Sequence, residues 1–136
     1  MPQYETPEML AKEKALMERV APKLRCTPEK NPKWYRIDFT LTRDGVAYAF
    51  AEAKCRDIRS DEYSTFFISM EKYVSLQQVN EITGLKTIIL VEWLDKTGFV
   101  NVPCEYSHIS MGGRKDRGLN DWEPMVYIPI ELFTML

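Results

Sequence analysis

Asp38, Glu52 and Lys54 are the residues of this chain whose types and spacing carry the most chemistry. In the run Glu52-Ala53-Lys54 the acid and the base are two apart, so on a β-strand both side chains project from one face. Tyr48, Phe50, Ala51 and Ala53 flank them, an apolar setting in which a carboxylate is expensive without a partner. Two carboxylates can hold Mg²⁺ through hard oxygen ligands and leave positions for water and a phosphate oxygen, with Mn²⁺ as a substitute. Such an ion lowers the pKa of water and stabilises charge building on phosphorus. The lysine would orient the attacking water or neutralise the phosphate. From its ordinary pKa of about 10.4 it would need a large depression to act as a base.

The remaining composition closes other routes. The chain has 136 residues, 45% apolar and 28% charged, enough for one domain (residues 1–136) with its own core. Lys and Arg total 18 against 20 Asp and Glu, a net charge of −2 that excludes a polycation but leaves local basic patches. His108 is the single histidine, which removes chemistries built on several. A zinc site would have to draw on Cys26, Cys55, Cys104 and His108 without any paired C-x-x-C, so a surface or hydrogen-bonded loop histidine is the simpler reading. No G-x-S-x-G, G-x-x-x-x-G-K-[ST] or G-x-G-x-x-G is present. The scattered cysteines read as reduced thiols. No run approaches the roughly 20 apolar residues of a membrane helix, and the N-terminus lacks a signal-peptide pattern, so the cytoplasm is the expected location.

Several elements must position the three residues. Thr6 as N-cap, Pro7 at the first helical position and the stripe Met9, Leu10, Leu16, Met17, Val20 predict a first helix that Pro22 ends or kinks. Thr27 to Lys33 reads as a polar, proline-bearing connector. Trp34 to Thr42 alternates as a strand, with Ile37, Phe39 and Leu41 on one side and Arg36, Asp38 and Thr40 on the other. Val46 to Cys55 is a second strand. Alanines 47, 49, 51 and 53 on one face invite close packing of a helix, and Tyr48, Phe50, Glu52 and Lys54 occupy the other. After a charged loop, Ser69 to Thr83 reads as a helix stopped by Gly84. Lys86 to Trp93, Phe99 to Val102, Tyr106 to Met111 and Met125 to Ile130 read as strands, with a polar loop over Gly112 to Asp121. The order α-β-β-(β)-α-β with extra C-terminal strands indicates an α/β domain with a mixed sheet flanked by helices.

Register makes a demand on this scheme. A bare two-residue turn at Asp44-Gly45 sets Asp38 opposite Ala51, facing away from Glu52 and Lys54. A three-residue loop, Arg43-Asp44-Gly45, or a bulge of the same effect, puts all three on one face.

On these residues the chain resembles the PD-(D/E)XK nuclease superfamily, over about residues 8 to 93. Asp38 stands for the motif aspartate and Glu52-Ala53-Lys54 for the (D/E)-X-K, on consecutive strands between two helices. The likeness is to small resolvase-like and VRR-NUC-like members, and the stretch from Met111 to Ile130 is similar to tails of phage-encoded nucleases. Ile37 stands where the pattern has proline. The resemblance implies a restriction-endonuclease-like fold and metal-dependent hydrolysis of DNA, selective for strand or structure rather than base sequence. It implies Asp38 and Glu52 as metal ligands with Lys54 beside the water. It also implies an acidic residue from the first helix, Glu18 with Glu13 second, and a helper on the following helix. For that helper Lys72, Gln77 and Gln78 compete, Gln77 being assigned the catalytic part and Lys72 a phosphate contact.

Phosphate contacts are also expected from Arg56 and Arg59 after the second strand and from Arg114, Lys115 and Arg117 beside Gly112, Gly113 and Gly118. Tyr63, Phe66 and Phe67 read as core before they read as base-stacking residues. A homodimer fits an enzyme that cuts two strands. The rival expectations are a non-catalytic nucleic-acid-binding module on the same fold and a protein-interaction module.

Overall fold

Threonine, proline and glutamate at positions 6–8 start α1 (Pro7–Val20) as expected, the Thr6 hydroxyl accepting a hydrogen bond from the Met9 N–H at 3.1 Å. The structure is a computed structural model that describes residues 6–113 and 122–136. Pro22 falls inside a short 3-10 turn, residues 21–24, so the α-helix ends just before it. Next comes a strand, β1 (Thr27–Lys30), where a connector was expected. Pro28 is tolerated there because β1 is the edge of the sheet, where a missing N–H breaks no ladder.

The main sheet has six strands in the order β1, β2 (Phe39–Arg43), β3 (Val46–Cys55), β5 (Lys86–Glu92), β6 (Thr97–Asn101) and β9 (Thr134–Met135). It is mixed: β3 and β5 run parallel, and every other neighbouring pair is antiparallel. The expected strand from Trp34 begins only at Phe39. Asn31 takes up the backbone ahead of it, donating from its own N–H to Asp38 O (2.8 Å) and from Nδ2 to Ile37 O (3.0 Å). A second sheet, not foreseen as separate, joins β4 (Thr65–Ser69), β8 (Trp122–Pro129) and β7 (His108–Gly113) in that order. Between β4 and β5 lies α2 (Met70–Thr83), closed by Gly84 at φ 70°.

Each face of the main sheet has its own core. Ala49, Ala51 and Ala53 of β3, with Phe39, Leu41, Ile88 and Leu90, pack under Leu16, Met17 and Val20 of α1. The small side chains of β3 admit the helix, as the alanines at 49, 51 and 53 predict, whereas Ala47, expected on the same face, lies beyond a break in the strand's alternation and outside this core. On the opposite face Ile89, Val91 and Val100 meet Tyr73 and Leu76 of α2 and the inner residues Phe66, Ile68, Val126 and Ile128 of the small sheet. Ile37 belongs to this second core and Phe39 to the first, so the expected side-sharing of those two breaks down where β2 begins.

Candidate active site

The hairpin between β2 and β3 decides where Asp38 points. Its loop has two residues, Asp44 and Gly45, both with positive φ (51° and 77°), the conformation favoured between twisted strands. The expected three-residue loop is therefore not formed. A bulge does its work instead: Thr42 pairs with Ala47 but Leu41 with Ala49, leaving Tyr48 as the extra residue. Beyond it Phe39 pairs with Ala51, and one more step of that register sets Asp38 beside Glu52. The bulge also turns Tyr48 onto the α1-side core, away from the face it was expected to share with Phe50.

Glu52 lies at the centre of the sheet, between β2 and β5, and is 0% exposed. Neither of its carboxylate oxygens accepts a hydrogen bond from the protein. The Nζ atoms of Lys54 and Lys72 stand 3.4 and 3.5 Å from Oε2, and Lys72 Nζ is also 3.9 Å from Asp38 Oδ1. Burial pushes the Glu52 carboxyl up to about 7; Lys54 and Lys72 oppose the shift, and the neighbouring Asp38 carboxyl reinforces it. Burial alone would lower Lys54, but Glu52, then Glu13 and Asp38, outweigh it and hold the ammonium above its ordinary value. Lys54 is thus a cation at neutral pH, suited to holding a water or a phosphate oxygen rather than to taking a proton.

Such a carboxylate weakens a fold. Burying one without hydrogen bonds costs several kcal/mol even with cations nearby, and a group so placed is a candidate for function. Among the described residues no cluster of three or more His, Cys, Asp or Glu side chains is arranged to hold a metal ion. The zinc alternative finds no support there: the His108 ring stacks on Tyr127 at 4.4 Å, with Nδ1 2.7 Å from the Ser107 hydroxyl. Two carboxylates nonetheless match the habit of Mg²⁺, which binds one or two and fills its shell with waters and substrate phosphates. The hydrogen-bond-free oxygens of Glu52, beside Asp38, are donors of the hard type such an ion takes.

All of the chain, residues 1–136, matches the family described as "Phage putative PDDEXK endonuclease". The chain belongs to this family. A similar solved structure is Hjc of Archaeoglobus fulgidus, a Holliday junction resolvase from an archaeal hyperthermophile. The two share 14% identity with a TM-score of 0.56, covering 89% of this chain and 90% of that one, a likeness of fold. No curated protein matches the chain.

Within this family fold the other expected residues fall unevenly. Lys72, assigned to phosphate, sits instead against both carboxylates from the first turn of α2, its Nζ donating to Arg36 O at 3.2 Å. Gln77 does not reach them. Five positions along α2 it lies well round the helix, and its Nε2 donates to Glu81 Oε1 at 3.2 Å; Gln78 is exposed. Glu18 is exposed on α1, whereas Glu13 falls on the buried stripe with Leu16, Met17 and Val20. Its charge is felt at Lys54, Cys55 and Arg56, so helix phase favours the second choice over the first.

Arg56 is not a free phosphate ligand. Its Nη2 donates to Phe67 O at 3.0 Å, and its guanidinium lies over the Phe66 ring, 4.8 Å from the centroid, tying β3 to the small sheet. Arg59 is exposed and paired with Asp61 at 3.1 Å and Asp95 at 3.7 Å. Arg114, Lys115 and Arg117 lie outside the described residues. Gly112 serves packing, because a Cβ there would meet Tyr127 Oη at 2.8 Å and Met125 Cγ at 3.0 Å. The sequence signal for Lys72 is its place in the first turn of the helix that follows Ser69.

Proposed function

We propose that the chain is a divalent-metal-dependent endodeoxyribonuclease that selects DNA by structure or strand rather than by base sequence. The single observation that carries this reading is Glu52: fully buried, without a hydrogen bond, and set between Asp38 and two ammonium groups. Membership of an endonuclease family and a fold shared with a junction resolvase support it.

Asp38 and Glu52 would hold Mg²⁺, or Mn²⁺ in its place. When bound, the cation polarises the phosphate and makes water a better nucleophile. Lys54 keeps its proton and donates a hydrogen bond to the attacking water or to a non-bridging phosphate oxygen, fixing the line of attack. Lys72 neutralises part of the charge on the carboxylate pair and, through Arg36 O, fixes the chain ahead of Asp38. Glu13 helps to keep Lys54 charged. In the reaction the water oxygen bonds to phosphorus and releases a proton to solvent, one ester P–O bond breaks, and the departing alkoxide takes up a proton from solvent.

Labelled linear, nicked, single-stranded and four-way DNA incubated with Mg²⁺ or with EDTA test the reading. Wild-type protein is expected to cut at least one of these only with the metal. Lys54→Ala is expected to lower the rate by roughly 10²–10³-fold while leaving DNA retention intact. Cleavage unaffected by that substitution, or DNA bound and never cut with Mg²⁺ or Mn²⁺, would overturn it in favour of a non-catalytic module.

A further inference from the structure

The loop ahead of Asp38 carries an exposed aromatic pair. Trp34 is 81% exposed and Tyr35 49%, and their rings stack with centroids 5.7 Å apart and planes 11° apart. Lys33 and Arg36, both exposed, flank the pair. The loop is not loose at its ends. Asn31 accepts from Thr40 Oγ1 (2.8 Å) and donates to Ile37 O and Asp38 O, the Tyr35 N–H donates to Pro32 O (2.9 Å), and Ile37 is buried under α2. At Arg36 O it receives the Lys72 ammonium, the same group that stands beside Asp38 and Glu52. The fold thus fixes two rings in water within a few residues of the carboxylate pair. With consecutive Cα atoms 3.8 Å apart, the Tyr35 Cα lies no more than about 11 Å from that of Asp38, and the Trp34 Cα no more than about 15 Å.

Several other rings differ in this respect. Tyr127 lies between Phe67 and His108 across the small sheet, Arg56 lies over Phe67, and Tyr106 meets Tyr73 edge-on. Ile82 and Leu94, exposed as well, are aliphatic. An exposed π face between cations is the arrangement on which a nucleobase stacks while its phosphates meet the cations. Inside a duplex both faces of a base are taken by its neighbours, so only an unpaired or splayed base can use such a platform.

We propose that Trp34 and Tyr35 form a stacking platform for an unpaired base next to the scissile phosphate, with Lys33 and Arg36 on the flanking phosphates. The preferred substrate class is therefore DNA with a single-strand-to-duplex transition at the cleavage position. This rests on the nuclease reading and adds to it the residues that recognise structure.

The test measures affinity by fluorescence anisotropy in EDTA, and cleavage in Mg²⁺, for the full-length protein on three DNAs. These are a paired duplex, the same duplex with a short single-stranded flap, and that flap with an abasic nucleotide at its junction. Trp34→Ala is expected to reduce the flap-over-duplex affinity ratio by about 5- to 100-fold. Trp34→Phe restores most of it, and the abasic flap binds wild type and Trp34→Ala alike. Ile82→Ala, far along α2, leaves the ratio at its wild-type value. Thermal melting of each variant checks that the exposed substitution leaves the fold intact. An unchanged ratio in Trp34→Ala, or a loss from the abasic site that adds to the loss from the substitution, overturns the platform. If the wild type cuts with Mg²⁺ but ignores Trp34, the platform fails and the nuclease reading stands. If the ratio depends on Trp34 but nothing is ever cut, the nuclease reading fails and the platform stands as a binding site.

Discussion

The two faces of β3 were built from one run of sequence and do opposite things. Ala49, Ala51 and Ala53 point at α1 and are buried among leucine, methionine and valine, with nothing polar to satisfy. Phe50, Glu52 and Lys54 point at α2, where the same depth of burial holds a carboxylate without a hydrogen bond and a cation 3.4 Å away. The α1 face contributes stability and the α2 face gives some of it up. In such a sheet the functional position is the buried one whose chemistry makes the fold worse.

Adjacent residues should break the contrast most sharply. Ala51→Glu puts an unpartnered carboxylate under α1 and should destabilise the protein by about 3–5 kcal/mol in urea unfolding, enough to threaten folding altogether. Glu52→Gln, one position on, should melt no lower than wild type in EDTA. In the proposed mechanism it should also lose roughly 10²–10³-fold in cleavage rate. A large loss of stability from Glu52→Gln would mean the carboxylate is structural after all.

A pH series sharpens the same point. In metal-free protein the Glu52 carboxyl titrates at about 7 against an ordinary 4.5. Between those values the folded chain holds a proton that the unfolded chain has released, so stability falls as pH rises through that window. The difference between wild type and Glu52→Gln isolates this group. Urea unfolding in EDTA at pH 5 and pH 8 should show wild type losing roughly 1–3 kcal/mol relative to the variant.

Smaller effects separate residues that the sequence left in competition. Glu13→Gln should slow cleavage about 10-fold by loosening Lys54, whereas Glu18→Gln, on the exposed side of α1, should stay within about twofold. Gly112→Ala should cost about 1–3 kcal/mol in thermal or urea unfolding, because its Cβ must displace the Tyr127 hydroxyl and the Met125 Cγ.

Much of this was legible where local chemistry and periodicity agree. Thr6-Pro7 starts α1, Gly84 stops α2, and the alanine alternation of β3 both predicts the covering helix and singles out Glu52 and Lys54. The failures share a cause, contacts that helix and strand periodicity does not encode. Trp34 to Ile37 alternates like a strand, yet Asn31 captures the backbone of Ile37 and Asp38 and holds that stretch as a loop. Pro28 marks a break in most settings, but an edge strand accommodates it. The hairpin could solve its register by a longer loop or by a bulge, and strand periodicity does not distinguish them. Lys72 outranks Gln77 because α2 leaves β4 without an intervening loop, which turns the first helical turn toward the carboxylates. In the small sheet β4 pairs with β8 about 60 positions away, which no local pattern encodes.

The central claim, that Asp38 and Glu52 jointly hold one divalent ion on the α2 face, is tested most directly by calorimetric titration of Mn²⁺ into wild type, Asp38→Asn and Glu52→Gln at pH 8. Wild type is expected to bind the ion, and both variants to lose that binding. Mn²⁺ binding of equal strength in all three proteins would contradict it.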